Sequence, residues 1–116
     1  MKGKFNFGDP IVEFSIQNKP IEFLLDTGFN GQIVLSKGLI GELKLKQIGF
    51  SDYTTASGEN KLTKVYLAVI DFFGNQKECI VLSTDGDFSL VGMELLHGCK
   101  IVLERHREFL EVTKTS

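Results

Sequence analysis

Two cysteines, two histidines, two prolines and no tryptophan are present in 116 residues, and each scarcity narrows what the chain can do. Cys79 and Cys99 have no CxxC spacing and sit in apolar, strand-like contexts, so they read as buried reduced thiols and not as a disulfide or zinc pair. The Glu94-x-x-His97 pair has no second copy to complete a metal site, and His106 lies between two arginines in a charged turn, as a solvated side chain would. Asp85-Gly86-Asp87 lacks the twelve-residue loop with a terminal Glu that calcium binding requires. No metal and no cofactor is therefore expected.

Charge of one sign is also missing. Thirteen Lys and Arg against fifteen Asp and Glu leave a net charge of −2, with no basic stripe to hold phosphates, which argues against nucleic acid as a partner. Long apolar runs are absent as well. The stretch 65–73 is interrupted by Asp71 and falls well short of the roughly 20 residues of a membrane helix, so no membrane span is expected. The basic start, 1–4, is followed at 5–10 by no apolar core of a signal peptide, which leaves a cytoplasmic location as the expectation. Linkers, low-complexity tracts and short-period repeats are not seen.

What is present is an ordinary globular composition, 42% hydrophobic and 24% charged, in a length that suits one domain spanning 1–116. Alternating runs at 11–16 and 21–25 around Asn18-Lys19-Pro20 predict a β-hairpin, with Pro20 opening the second strand. Further strands are predicted at 32–35, 45–53, 61–73, 78–82, 88–92, 100–103 and 108–112. Ser36 is placed to cap a helix of about two turns ending near Leu43, and 93–97 suits one short helix stopped by Gly98. Many short strands with little helix define an all-β class, a small barrel or sandwich. The polar, glycine-bearing 54–60 between two strands suits a hairpin tip.

The most informative residues are Asp26-Thr27-Gly28, carried at the end of the apolar strand 21–25. The strand fixes the backbone, Gly28 permits a sharp turn that brings peptide N–H groups to the carboxylate, and Thr27 can lock the loop through its hydroxyl. A carboxylate presented this way suits proton transfer on a water, and that chemistry takes two carboxylates sharing one proton. One triplet in the chain therefore predicts two identical chains meeting at this loop. Taken alone, Asp26 also fits a turn aspartate that accepts backbone N–H groups and does nothing more.

Three features in register, 23–28 (Phe-Leu-Leu-Asp-Thr-Gly), a flap-like stretch after Tyr53 and 89–96 (Ser-Leu-Val-Gly-Met-Glu-Leu-Leu), make most of the chain resemble the retropepsin-like aspartic proteases, in particular their small stand-alone microbial members. The resemblance implies a closed β-barrel with one short helix, assembled as a homodimer with the two Asp-Thr-Gly loops facing each other over a peptide-sized cleft. It implies that Asp26 is the catalytic carboxylate, that Thr27 reaches the other chain's loop and that Gly28 allows close approach. Ala56, Ser57 and Gly58 would bind substrate backbone from the flap, and Val91 and Gly92 would support the active-site loop from below. The implied reaction is hydrolysis of a peptide or protein.

Two departures stand out. Phe29 follows Gly28 where many members carry Ala or Ser, so no hydroxyl is offered there to the outer carboxylate oxygen. Met93-Glu94 follows Gly92 in place of the arginine-containing triplet of viral members, so the ion pair that braces the viral dimer has no counterpart. The segments 4–7 and 108–112 are candidates for an intersubunit sheet. Competing readings are a catalytically silent dimerisation or peptide-binding module, and a monomeric ligand barrel with Asp26 facing its own interior.

Overall fold

Alternation of apolar and polar side chains writes the strands directly. The computed structural model describes residues 1–54 and 58–115, with the backbone alone at 53, 54 and 61. In chain order the elements are β1 (Lys4–Asn6), β2 (Asp9–Ile16), β3 (Lys19–Leu25), β4 (Ile33–Ser36), α1 (Lys37–Leu43), β5 (Lys46–Thr54), β6 (Asn60–Phe72), β7 (Asn75–Thr84), β8 (Leu90–Val91), β9 (Cys99–Glu104) and β10 (Phe109–Lys114). The protein is thus mostly β with one short helix among the described residues.

Three of the hairpins close through the same device. Phe7-Gly8, Gln17-Asn18 and Phe73-Gly74 each place two consecutive residues at positive φ, the turn whose twist matches that of antiparallel strands. The predicted hairpin around Pro20 forms, with Pro20 opposite Ser15 near the start of β3. Val12, Phe14 and Ile16 on β2 and Ile21, Phe23 and Leu25 on β3 point to the same side and are buried. At the centre Phe14 stacks on Phe23, centroids 4.1 Å apart, and meets the edge of Phe72 at 5.4 Å.

Eight strands form one sheet in the order β1-β2-β3-β8-β4-β7-β6-β5. A further antiparallel pairing of β2 with β6, Ser15 opposite Asp71 and Ile16 opposite Ile70, closes six of them into a ring around the core. Two parallel pairings sit at its centre: β3 with β8, and β4 with β7. β9 and β10 form a separate antiparallel pair.

Helix α1 is the helix expected after Ser36, whose hydroxyl accepts from Leu39 N–H at 3.3 Å, and it ends at Lys44 in the left-handed region. The helix expected at 93–97 is a correction. Residues 93–98 run as hydrogen-bonded turns, with Leu96 N–H on Gly92 O and His97 N–H on Glu94 O. Gly98 at φ 81° and β9 from Cys99 leave no room for a second helical turn.

The terminal segments are paired within the chain. β1 lies along β2, while Gly3 N–H donates to Leu110 O and Val112 N–H to Met1 O, both at 2.8 Å. Met1, Lys2 and Gly3 thereby continue the β9–β10 pair on the β10 side.

Candidate active site

Asp26 leaves the ring where β3 ends. Leu24 and Leu25 are in parallel register with Leu90 and Val91, and the last rung of that ladder is Asp26 N–H to Val91 O at 3.0 Å. The backbone is therefore held up to the carboxylate-bearing residue itself. The next amide but one turns back: Gly28 N–H donates to Asp26 Oδ1 at 2.9 Å, and Phe29 N–H to Asp26 O at 3.2 Å. A backbone donor on a carboxylate oxygen fixes the rotamer of that side chain. Asp26 is half-buried, and Thr27 and Gly28 are exposed, so the triplet stands at the surface of one chain and not among its core residues.

Gly28 earns its place by proximity. Its φ is not in the left-handed region, but a Cβ there would sit 3.3 Å from Asp26 Oδ1, crowding the oxygen the loop is built to present. The Thr27 hydroxyl makes no hydrogen bond among the described residues of the chain, so it does not lock its own loop.

Val91 and Gly92 lie directly beside this loop. Both are buried; Gly92 N–H donates to Gln32 O at 2.9 Å and Met93 N–H to Phe29 O at 2.8 Å. A Cβ on Gly92 would lie 2.7 Å from Phe29 O and closer still to Gly31 O, so the two backbones touch with no space for a side chain. The Phe29 ring covers the α-carbons of both Gly31 and Gly92. The aromatic residue that departs from the family pattern is thus packed into a notch that two glycines make.

Gln32 is a positioning residue that the sequence did not flag. Its Oε1 accepts from Ile80 N–H on β7 at 2.5 Å and its Nε2 donates to Glu94 Oε1 at 3.4 Å, tying the loop to two distant segments. The signal available was only its position, between the Asp-Thr-Gly triplet and β4.

An apolar groove of about 290 Å³ opens beside Phe29, walled by Val34, Leu82, Phe88 and Leu90 and edged by Thr63, Ser83 and Thr84. Thr63 is buried and donates to Ser83 O at 3.0 Å, joining β6 to β7 below the hairpin tip. A larger groove of about 430 Å³ runs on the outer side of that hairpin, past Phe50, Leu62 and the Lys37–Asp85 ion pair, which is 2.6 Å long. Asp26 lines neither groove. Of the flap residues, Ala56 and Ser57 lie outside the described residues; Gly58 is exposed at φ 86° with open space around its α-carbon. Cys79 is buried, Cys99 half-buried, and both are free thiols. His97 and His106 are exposed. No described helix is long and apolar enough to cross a membrane.

Among solved structures, a retropepsin-like aspartic protease from Rickettsia conorii matches with TM-score 0.71 and 27% identity, covering 97% of this chain and 88% of its own. The EIAV protease, solved with the inhibitor HBY-793, matches with TM-score 0.68 and 25% identity, covering 82% and 93%. The Simian Foamy Virus (mac) protease, at 18% identity, shares the fold with TM-score 0.59 over 75% of this chain and 91% of its own. No curated protein matches. The family model described as "gag-polyprotein putative aspartyl protease" matches residues 12–98, which take in the Asp26 loop, both strands that brace it and the Gly92 contact. The chain belongs to that retropepsin-like aspartyl protease family.

Proposed function

We propose that the protein is an aspartic endopeptidase that works as a homodimer, each chain of 1–116 acting as one domain, a closed barrel that brings Asp26 to a shared cleft. The observation that carries this reading is the presentation of Asp26: amide tied to Val91, carboxylate tied to Gly28 N–H, flanking residues exposed. One chain supplies one such carboxylate, and Asp26 lines neither of the grooves beside it. A second chain would bring a second carboxylate across a two-fold axis.

Two carboxylates within roughly 3 Å cannot both ionise, so the pair would share one proton. The ionised member takes a proton from a water held between them, the water oxygen attacks the scissile carbonyl carbon, and the protonated member donates to the developing oxyanion. Gly28 N–H holds one oxygen of each Asp26 so that the other faces the water. Thr27, exposed and without a hydrogen-bond partner among the described residues, would bond across the two-fold. The 56–58 tip would close over an extended peptide, and the groove at Phe29, Phe88 and Leu90 would take an apolar side chain. Val91 and Gly92 would hold the loop from below. Two free thiols suit the reducing cytosol as the place of work.

The test is cleavage of a mixed peptide library across pH by the native protein, by Asp26→Asn and by mixtures of the two. Cleavage that disappears in Asp26→Asn, and that falls more steeply than dilution when the variant is added in excess, supports a site shared between chains. A native protein that is dimeric yet cleaves nothing at any pH would instead be the silent module.

A further inference from the structure

We propose that Asn30 is a site of covalent modification: in the folded chain its carboxamide cyclises onto the Gly31 nitrogen and is hydrolysed to aspartate or isoaspartate. The modification stands apart from the endopeptidase reading, and only its effect on turnover rests on that reading.

Among the asparagines Asn6, Asn18, Asn30, Asn60 and Asn75, Asn30 alone is followed by glycine. That neighbour decides the chemistry, because a residue without Cβ leaves its amide nitrogen unhindered for attack on the preceding side chain. The glycine is fixed by the fold. A Cβ at Gly31 would lie 2.5 Å from Cζ of the Phe29 ring, so the packing of that ring holds the susceptible pair in place.

The peptide unit between the two residues is unrestrained. Phe29 O accepts from Met93 N–H at 2.8 Å and Gly31 O from Glu94 N–H at 3.1 Å, but neither Asn30 O nor Gly31 N–H is hydrogen-bonded among the described residues. Asn30 is exposed, and its carboxamide makes no hydrogen bond among them either. The attacking nitrogen and the side chain it attacks are both free to move, and water reaches the product. The comparable Asp85-Gly86 pair is held instead: Gly86 N–H donates to Thr84 Oγ1 at 3.1 Å, and Asp85 is ion-paired with Lys37.

In the first step the Gly31 nitrogen loses its proton and bonds to Cγ of Asn30, the Cγ–Nδ2 bond breaks, and Nδ2 leaves as ammonia. Water then opens the cyclic imide. Opening at Cγ gives aspartate, which adds a carboxylate to the loop that carries Asp26. Opening at the main-chain carbonyl leaves Gly31 attached through Cγ, an isoaspartate whose main chain is longer by one methylene. That extra length cannot enter between the Phe29–Met93 and Gly31–Glu94 bonds without moving one of them, and both hold the loop against the segment that follows Gly92.

The test incubates the full native chain at mildly alkaline pH and body temperature beside Asn30→Gln, and peptide maps read by mass follow the replacement of NH2 by OH. Conversion at residue 30 is expected to be at least about tenfold faster than at Asn6, Asn18, Asn60 or Asn75, the effect of its glycine neighbour. A more acidic species should appear on isoelectric focusing of the native protein and not of Asn30→Gln. Asn30→Asp supplies the pure aspartate product. Aged native protein is expected to unfold at lower denaturant than Asn30→Asp, because only the aged sample contains isoaspartate. The proposal is overturned if residue 30 stays an asparagine in the folded chain while it converts in urea, or if the aged protein matches Asn30→Asp in both map and midpoint. Mass and midpoint need no peptide cleavage, so a native protein that cleaves nothing leaves this test intact; where it does cleave, turnover should fall in step with the isoaspartate fraction.

Discussion

The amide of Asp26 donates to the carbonyl of Val91 across 3.0 Å, and through that bond the carboxylate loop inherits the rigidity of a parallel ladder in the middle of the sheet. The neighbouring residue enforces the contact. Gly92 has no Cβ, and its backbone lies against Gly31 and Phe29 so closely that none would fit.

Gly92→Ala is therefore expected to destabilise the fold by about 1–3 kcal/mol, the range for forcing a methyl into a packed site. Peptide cleavage should fall further than the loss of folded protein explains, since the Phe29–Gly31 backbone must shift. Denaturant midpoints and turnover measured on the same preparation check both.

Asp26→Asn should leave stability within about 0.5 kcal/mol, because the amide oxygen still accepts from Gly28 N–H at the surface. Turnover should drop by at least about 10²–10⁴-fold, the scale of a lost general base. Thermal melts beside progress curves suffice, and a variant that cleaves peptides as fast as the native protein would refute the assignment of Asp26.

Phe29→Ala removes a half-buried ring from the notch over Gly31 and Gly92 and from one wall of the apolar groove. A stability loss of about 1–3 kcal/mol is expected, below the full cost for a buried Phe. KM for peptides with large apolar side chains should change more than KM for those with small ones, which a short substrate series would show.

Ser36→Ala deletes the side-chain acceptor for Leu39 N–H at the start of α1. About 1 kcal/mol of stability should be lost, without change in KM, as read by urea denaturation and steady-state kinetics.

Burial pushes the Cys79 thiol up to about 12. The folded chain therefore keeps this thiol neutral at a pH where the unfolded chain ionises it. That contribution to stability is whole below the ordinary thiol range and is lost progressively as pH rises from about 9 toward about 12. Stability measured from pH 7 to 10.5 should fall less steeply in Cys79→Ala than in the native protein, although the variant starts lower. The native thiol should also react with iodoacetamide more slowly than Cys99.

Much of the fold was legible because its causes are local. Asn18 and Pro20 mark the β2–β3 turn, alternation marks both strands, and Ser36 marks a helix whose weak glycine-bearing interior keeps it to seven residues. The segment 93–97 misled for the same reason. Its residues suit a helix, but β9 begins at Cys99 and the turn must reverse at Gly98. At the site, the Asp-Thr-Gly motif pointed to a carboxylate held by backbone, yet suggested conformational freedom as the role of Gly28 where the structure shows closeness to Oδ1. Gln32 was invisible because Ile80 and Glu94, its partners, are distant in the chain.

Periodicity, turn chemistry and one Asp-Thr-Gly triplet at a strand end were determined by the sequence alone, since each depends on residues within a few positions of one another. Which carbonyl anchors Asp26, what fills the notch behind it, and that Met1 and Gly3 pair with their own C-terminal strand were decided by tertiary structure. Those contacts join segments from opposite ends of the chain, and no local preference specifies a partner that only the closed ring of strands brings near.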